Sequence, residues 1–413
     1  MKNKVRNNFL LNTIGSVLYS STSFFFMIIV TRKLGLSNSG IFTFAFSTSC
    51  LFQVIGVYYG RVFQVTETDD KITDSDYTYS KIVTCMLMLL VGFIFLLVKR
   101  YSSFKCLIIL LLVIYKMIGA FAESLYAIIQ RNDDLYKVGI SLILKAFIEV
   151  IVFYLTCLLS NNLICACLSL IISELLILII YDFCVVKNYN FKLSEIRKKH
   201  IITILKLGFP VFVFTILTQY LINAPKYAID NFLDDNTQSV YGMLSMIATI
   251  TVMFGQLILH PYLTSLSKDL KGKKYDVFNS RIIKIIGFLF IAGVLECLIG
   301  YLWGTSLLGI VYNVNLSKYS FLLLIIIVGS IFYSIVSILS NALISMRINN
   351  IQSVLFFIDS IIVYFISNEL VKKYGINGAG YSYFCCMFIL LVMFLILYFV
   401  QYKKISGGEK HEN

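Results

Sequence analysis

Charged residues are scarce in this chain of 413 residues. They make up 14% of it, against about 25% in a typical soluble domain. Hydrophobic residues make up 59%, and the mean hydropathy is +0.85. Proline is also rare, at three residues, which suits long helices without internal breaks. This composition excludes an ordinary soluble globular domain and favours a protein built within a membrane.

Motifs for metals, nucleotides and nucleic acids are missing as well. The three histidines are far apart in sequence, and the ten cysteines form no C-x-x-C pair, so we expect no metal site. No G-x-x-x-x-G-K-[ST] motif is present, so we expect no ATP hydrolysis and no organic cofactor. The net charge of +13 comes from lysines and arginines between apolar segments, where membrane topology explains them better than nucleic-acid binding.

What the chain has instead is a series of long apolar segments, each of about 18–25 residues, the length of a helix that crosses a bilayer. They predict an all-α integral membrane protein with about twelve transmembrane helices in two six-helix lobes. The expected spans are 9–31, 40–62, 82–98, 106–128, 139–160, 163–184, 201–225, 239–260, 282–306, 319–344, 351–368 and 377–401.

Lysine and arginine are distributed unevenly between the connecting loops. If the N-terminus lies in the cytoplasm, the two most basic connectors, around 187–200 and 268–284, both lie inside. The positive-inside rule then places both termini in the cytoplasm, and it predicts a multi-pass protein of the cytoplasmic membrane.

The most basic connector also lies near the midpoint of the chain. It predicts an N-terminal lobe at 1–186, a cytoplasmic linker at 187–200, a C-terminal lobe at 201–402 and a cytoplasmic tail at 403–413. Six helices in each half would make the halves parallel repeats, an arrangement typical of alternating-access transporters.

Several ionisable residues fall inside the predicted spans, where each costs about 2.5–3.5 kcal/mol and usually faces a cavity or a partner. Carboxylates there are candidate proton or sodium sites, and these are Glu123, Glu149, Glu174, Asp230, Glu296 and Asp359. Lys116 lies mid-span on the face of Glu123, so we expect it to face an aqueous cavity. Lys145 and Glu149 are one turn apart and leave two readings open, mutual neutralisation or a cavity.

Three stretches of the chain resemble a known family. They are the opening Asn7-Asn8-Phe9 with Thr31-Arg32-Lys33-Leu34-Gly35 and Ser39-Gly40-Ile41-Phe42, the run Asn223-Ala224-Pro225-Lys226-Tyr227-Ala228-Ile229-Asp230, and Tyr374-Gly375-Ile376-Asn377-Gly378-Ala379-Gly380. They are similar to Wzx-type polysaccharide repeat-unit flippases of O-antigen, capsule and exopolysaccharide assembly. These flippases are members of the multidrug/oligosaccharidyl-lipid/polysaccharide (MOP) exporter superfamily. The resemblance covers essentially the whole chain, but its motifs are short.

The resemblance implies a MATE-like fold and a non-enzymatic flippase. Its cargo would be an undecaprenyl-diphosphate-linked oligosaccharide, moved from the inner to the outer leaflet and coupled to H⁺ or Na⁺. It implies membrane lipids, and a polysaccharide polymerase with chain-length proteins, as partners. Arg32, Lys33 and Lys226 match the family at the ends of helices 1 and 7 as phosphate contacts, and the mid-span Lys116 joins them from its position alone. Tyr227 is a candidate to stack on a sugar ring, with packing as its alternative role. Arg32 and Lys33 have an alternative role as anchors that snorkel to the interface.

Three other functions stay open at this stage. A drug/cation antiporter of the same superfamily would have a cavity dominated by carboxylates, whereas here lysines and carboxylates are mixed. A membrane polymerase or ligase would need a large outer loop, which the predicted topology lacks. A non-transporting scaffold of a polysaccharide-assembly complex would have no need of intramembrane charges on several helices.

Overall fold

The structure is a computed structural model, which describes residues 2–66, 72–189, 191–193, 195–259, 262–346, 348 and 350–408. Residues 409–413 of the predicted tail lie outside the described residues. Every regular element in the described ranges is a helix. The chain divides into two compact units, residues 1–219 and 220–413, which we call the N unit and the C unit. The lobe and linker boundaries expected from the sequence stay a prediction.

The described residues of the N unit form seven helices and the first part of an eighth. They are α1 (Lys2–Val57), α2 (Gly60–Val65), α3 (Asp74–Lys99), α4 (Ser103–Arg131), α5 (Leu135–Ser160), α6 (Leu163–Ile177), a π-helical turn (Leu178–Asp182), α7 (Phe183–Lys187) and the start of α8 (Lys198–Phe232). Helix α8 continues from the N unit into the C unit at Tyr220.

In the C unit, the part of the chain that the structure describes forms the end of α8 and six further helices. They are α9 (Asp235–Leu259), α10 (Leu263–Lys271), α11 (Tyr275–Ile299), a π-helical turn (Gly300–Gly304), α12 (Thr305–Tyr312), a 3₁₀ turn (Ser317–Tyr319), α13 (Ser320–Ser345) and α14 (Asn350–Gly408). Helix α13 is the most buried of the candidate membrane helices and packs against α9, α11 and α14.

Ten helical stretches in the described residues are long and apolar enough to cross a membrane, which confirms the prediction of an all-α, multi-pass membrane protein. Two of them, 6–65 and 351–406, are about twice the length of one crossing. Each is interrupted by a glycine outside helical geometry, Gly35 in α1 and Gly375 in α14. The number of twelve crossings and the orientation of the termini stay predictions.

The two interrupting glycines have similar surroundings in the sequence. Gly35 has φ 87° and follows Arg32-Lys33-Leu34, and Gly375 has φ 58° and follows Lys372-Lys373-Tyr374. Positive φ is accessible to glycine without steric cost. A basic pair and a glycine therefore mark the break in each of the two longest helices.

Helices α1 and α5 approach each other closely at a pair of glycines. A Cβ on Gly139 would lie 2.4 Å from the carbonyl of Leu11, and one on Gly15 would lie 2.4 Å from the carbonyl of Gly139. Small residues allow this backbone contact, a common device between membrane helices. The contact holds the polar face of α5 against α1 and α4.

Asp134, in the turn between α4 and α5, makes three polar contacts at one end of the N unit. Its carboxylate lies 2.8 Å from the Nζ of Lys4 and of Lys137, and it accepts a 2.6 Å hydrogen bond from the Tyr189 hydroxyl. Burial alone would raise the pKa of Asp134, but these three hydrogen bonds outweigh it and lower the pKa below its ordinary value. The ends of α1 and α5 and the residues after α7 are joined through this one group.

Candidate functional site

A cluster of ionisable side chains lies inside the N unit. The Nζ of Lys145 on α5 lies 2.7 Å from Oε1 of Glu174 on α6 and 3.4 Å from Oδ2 of Asp182 in the π-helical turn. The Lys145 side chain is 1% exposed and the two carboxylates are fully buried. Three charges at this depth are tolerated because they compensate one another.

Glu149 joins this cluster one turn along α5 from Lys145. It accepts a 2.8 Å hydrogen bond from the Tyr115 hydroxyl, which lies 3.5 Å from the hydroxyl of Tyr19. Lys145 makes its ion pair with Glu174 rather than with Glu149, its neighbour in the helix. The reading in which Lys145 and Glu149 neutralise each other is therefore not the arrangement found.

The Glu149 and Glu174 carboxyls lie close enough to interact with each other. Oε1 of Glu149 and Oε2 of Glu174 are buried, and neither has a donor from any other group in the described ranges. Two carboxylates cannot accept from each other unless a proton lies between them. One shared proton would give both carboxyls a partner, so the cluster is chemically suited to take up and release H⁺.

Asp182 is the member of the cluster that sequence reasoning missed. It accepts a 2.6 Å hydrogen bond from Ser141 and one of 3.4 Å from Tyr126. The π-helical turn at Leu178–Asp182 directs it inward, and such turns recur at functional sites. The sequence analysis assigned no role to Asp182, which lies two residues before the end of the predicted span 163–184. Ser141 and Lys145, one turn apart on α5, were the available signal for a buried acidic partner.

A polar cavity of about 190 Å³ opens onto the cluster. Glu123, Gly119, Lys145 and Glu174 line it together with Arg61 on α2. The remaining lining residues are Ser16, Tyr19, Ser20, Gln53, Tyr126 and Leu142. The wall carries hydroxyls, an amide and charges of both signs, so the cavity has room and partners for several water molecules. Two of the predicted coupling residues, Glu123 and Glu174, share it.

Lys116, the mid-span lysine of α4, is buried. Its Nζ lies 4.4 Å from the ring centroid of Phe46 and 5.0 Å from that of Tyr115. Lys116 is also close enough to act electrostatically on Glu174. Aromatic faces stabilise an ammonium by roughly 0.5–2 kcal/mol while leaving its hydrogens able to meet an anion.

The basic pair of α1 lies at the Gly35 break and is exposed. The Nζ of Lys33 lies 5.7 Å from the ring of Tyr154 on α5. Arg32 and Lys33 thus occupy a helix end, where either phosphate contact or interfacial anchoring is physically available.

In the C unit, α8 carries the sequence-predicted residues Lys226, Tyr227 and Asp230 on consecutive turns. The Nζ of Lys226 donates to Oδ1 of Asn223 at 3.2 Å. Tyr227 stacks on Tyr220 with ring centroids 6.0 Å apart and 12° between the planes. A flat double-tyrosine platform beside an ammonium is chemically suited to a sugar with an attached phosphate.

The two remaining coupling candidates lie apart from that platform in sequence. Glu296 on α11 accepts a short hydrogen bond from the hydroxyl of Thr251 on α9. Asp359 on α14 is fully buried, and neither carboxylate oxygen has a hydrogen-bond partner in the described part of the chain. Among the described residues, no three His, Cys, Asp or Glu side chains are grouped to hold a metal ion.

Comparison with known proteins gives one curated relative and several solved structures. The chain is 23% identical over 396 residues to the capsular polysaccharide biosynthesis protein CapF of Staphylococcus aureus, covering 95% of this chain and 98% of CapF. No protein-family model matches the chain.

Two solved structures have closely similar folds. The lipid II flippase MurJ in an inward closed conformation has a TM-score of 0.75 at 16% identity, covering 96% of this chain and 90% of MurJ. An inward-facing multidrug resistance MATE family transporter of the MOP superfamily has a TM-score of 0.74 at 10% identity, covering 96% of this chain and 99% of that one. Both are transport proteins rather than enzymes, in agreement with the expectation from the sequence. The predicted MATE-like fold is confirmed, since the chain has the fold of this MATE transporter and of MurJ.

Proposed function

We propose that this protein is an alternating-access flippase for lipid-linked saccharides. Its cargo is an undecaprenyl-diphosphate-linked oligosaccharide repeat unit, moved from the inner to the outer leaflet of the cytoplasmic membrane for surface polysaccharide assembly. Support comes from the fold shared with MurJ, named as a lipid II flippase, and from the likeness to a capsular polysaccharide biosynthesis protein over nearly the full chain. Transport by this mechanism needs no bound cofactor beyond the coupling ion.

The observation that carries the energetic part of the proposal is the cluster of Lys145, Glu149, Glu174 and Asp182. It contains two neighbouring carboxyls whose free oxygens lack a donor, and a polar cavity opens onto it. A proton entering the Glu149–Glu174 pair changes which carboxylate is left to face Lys145. A proton gradient can therefore bias the packing of α4, α5 and α6, and we assign H⁺ as the coupling ion.

The cargo contacts follow from charge and shape. As candidate cargo contacts, the N unit offers the cations of Arg32, Lys33 and Lys116 for a phosphate, and the C unit offers the cation of Lys226 for a phosphate and the ring of Tyr227 for a sugar. Lys116 contacts two aromatic rings, and Lys226 donates to Asn223.

The proposal is tested by flipping of a fluorescent undecaprenyl-diphosphate oligosaccharide in proteoliposomes with an imposed pH gradient. We expect gradient-stimulated flipping by the wild-type protein. Lys116→Ala and Lys226→Ala should each reduce the rate by about tenfold or more, since a charge-assisted contact contributes roughly 1.5–3 kcal/mol. Lys372→Ala, a change at an exposed lysine beside the α14 break, is the matched control and should leave the rate unchanged.

Two outcomes would contradict the proposal. Flipping rates in Lys116→Ala and Lys226→Ala equal to that of Lys372→Ala would remove the cationic cargo site. Movement of a small organic cation by the wild-type protein, without lipid flipping, would identify a drug antiporter of the MATE type. The cavity argues against that second function, because Arg61 and Lys145 balance Glu123 and Glu174 on its wall.

A further inference from the structure

The cavity of the N unit has an exposed end and a buried end. At the exposed end lie Arg61 and Glu123, whose side chains are 22% and 32% exposed, with Arg61 Nε 3.9 Å from Glu123 Oε2. At the buried end lie Lys145 and Glu174, at 1% and 0%. Exposure thus falls along the cavity from one carboxylate to the other. A polar space with a titratable group at each end has the form of a route for protons.

Helix α4 forms the wall between the two ends. Glu123 and Gly119 are one helical turn apart on it, a step of about 6 Å along the axis. Gly119 has no side chain to fill the space between these ends. A Cβ there would lie 3.4 Å from Glu174 Oε1, 3.7 Å from the Tyr19 hydroxyl and 3.8 Å from Gln53 Nε2. All three nearest atoms are polar. The floor of the cavity is therefore a place where water can bridge towards Glu174.

The charges around Glu123 come from four neighbouring helices. Arg61 approaches it from α2, and Lys81 acts on it electrostatically from α3. Lys145 on α5 and Glu174 on α6 face it across the cavity, and the lining residues contributed by α1 are uncharged. At 3.9 Å the Arg61 contact is too long for a hydrogen bond, so the Glu123 carboxylate is held close to a cation and still has oxygens available to water.

We propose that Glu123 is the entry residue of a proton-access route that runs through this cavity to the Glu149–Glu174 pair. The inference rests on the proposed H⁺ coupling and gives the coupling site its connection to the aqueous phase. The Glu123 carboxylate takes a proton from hydronium, which leaves water. The proton then passes along hydrogen-bonded water to the Glu174 carboxylate, and Glu123 returns to its ionised form beside Arg61.

The test follows the protonation of the buried pair directly, without cargo. Full-length protein in lipid nanodiscs is subjected to a pH jump, and the infrared C=O band of protonated carboxyls is recorded over time. Glu149→Gln and Glu174→Gln assign the part of the band that comes from the pair. We expect Glu123→Gln to slow the rise of that part by about tenfold or more, while its final amplitude equals that of the wild type.

Blocking the cavity provides a second and independent variant. Gly119→Val places branched methyl groups among Glu174, Tyr19 and Gln53, and it should slow protonation in the same way. Gly119→Ala adds only the Cβ, at ordinary contact distances, and should slow it less. Glu369→Gln, a loss of one exposed carboxylate on α14 in the C unit, is the control for the charge change and should match the wild type.

The outcomes separate the two proposals. Wild-type rates in both Glu123→Gln and Gly119→Val, with the assigned band intact, would overturn the access route and leave the coupling site standing. Absence from the wild-type spectrum of any pH-dependent band that Glu149→Gln or Glu174→Gln removes would overturn both. A band that responds to Na⁺ at constant pH instead of to pH would replace proton access by sodium binding, and it too would overturn the inference.

Discussion

The N unit and the C unit treat their buried carboxylates in opposite ways. In the N unit, Glu174 and Asp182 share Lys145, and Glu149 accepts from Tyr115. In the C unit, both oxygens of Asp359 lack a partner among the described residues. Glu296 accepts a hydrogen bond from the hydroxyl of Thr251. Two units built from membrane helices of similar length therefore hold very different polar interiors.

The difference separates a reversible proton site from a static one. A buried acid without a donor is stable only in its neutral form, and its surroundings gain nothing by exchanging the proton. A cluster of several carboxyls around one lysine has more than one arrangement of protons and hydrogen bonds at similar energy. We therefore place the coupling step in the N unit, at Glu149 and Glu174, and give Asp359 a structural role.

The largest effect is expected from Lys145→Ala. It leaves Glu174 and Asp182 buried without their common cation, and breaking a buried pair in this way costs about 3–5 kcal/mol. The free energy of unfolding in detergent micelles should fall by that amount. Adding Glu174→Gln to Lys145→Ala should recover part of the loss, because one uncompensated charge is then removed. If Lys145→Ala alone were as stable as the wild type, ion pairing would not stabilise the cluster.

A smaller effect is expected from Asp134→Asn, at the end of the N unit. Hydrogen bonds to charged groups contribute roughly 1.5–3 kcal/mol, so the variant should lose about 2 kcal/mol at pH 7. Since folding lowers the pKa of Asp134, its contribution is present above its unfolded pKa of about 4 and is lost as the pH falls through the folded pKa.

The stability difference between wild type and Asp134→Asn should therefore shrink as the pH falls below about 4. Thermal unfolding of both proteins at several pH values measures it. Asp133→Asn, a change at the neighbouring carboxylate in the same turn, is the control. A difference that stays constant with pH would show that the carboxylate charge does not stabilise this end of the unit.

In the C unit, Glu296→Gln should change stability by less than about 1 kcal/mol. The glutamine amide oxygen still accepts the hydrogen bond from Thr251, and a neutral hydrogen bond contributes about 0.5–1.5 kcal/mol in all. Unfolding measurements on Glu296→Gln beside Glu174→Gln compare the two units directly. If Glu296→Gln lost as much stability as Glu174→Gln, the two units would not differ in how they hold their buried carboxylates.

The smallest effect is expected from Asp359→Asn. The neutral amide has the shape of the protonated acid and removes no partner, so stability should be unchanged or slightly higher. Thermal unfolding checks this, and gradient-driven flipping should also be retained. A loss of about 3 kcal/mol or more would reveal an ionised Asp359 with a compensating partner.

The fold was largely predictable from the sequence because the bilayer imposes length and hydropathy on each helix. The same length and hydropathy rule placed Glu149 and Glu174 within predicted membrane spans. Their pairing could not be read from the sequence, since it depends on which faces of α4, α5 and α6 pack together. Asp182 was missed because the π-helical turn that directs it inward leaves no pattern in the apolar run. Tyr115 could not be distinguished in the sequence from an aromatic residue that only packs within a membrane span. Its hydrogen bond to Glu149 is seen only in the structure.

One flipping experiment tests most directly whether proton coupling belongs to the N unit. Proteoliposomes containing wild type, Glu149→Gln or Asp359→Asn are given the same lipid-linked oligosaccharide with and without a pH gradient. We predict that Glu149→Gln flips at the same rate in both conditions, whereas Asp359→Asn keeps the stimulation of the wild type. Stimulation that survives in Glu149→Gln and disappears in Asp359→Asn would contradict the claim and assign coupling to the C unit.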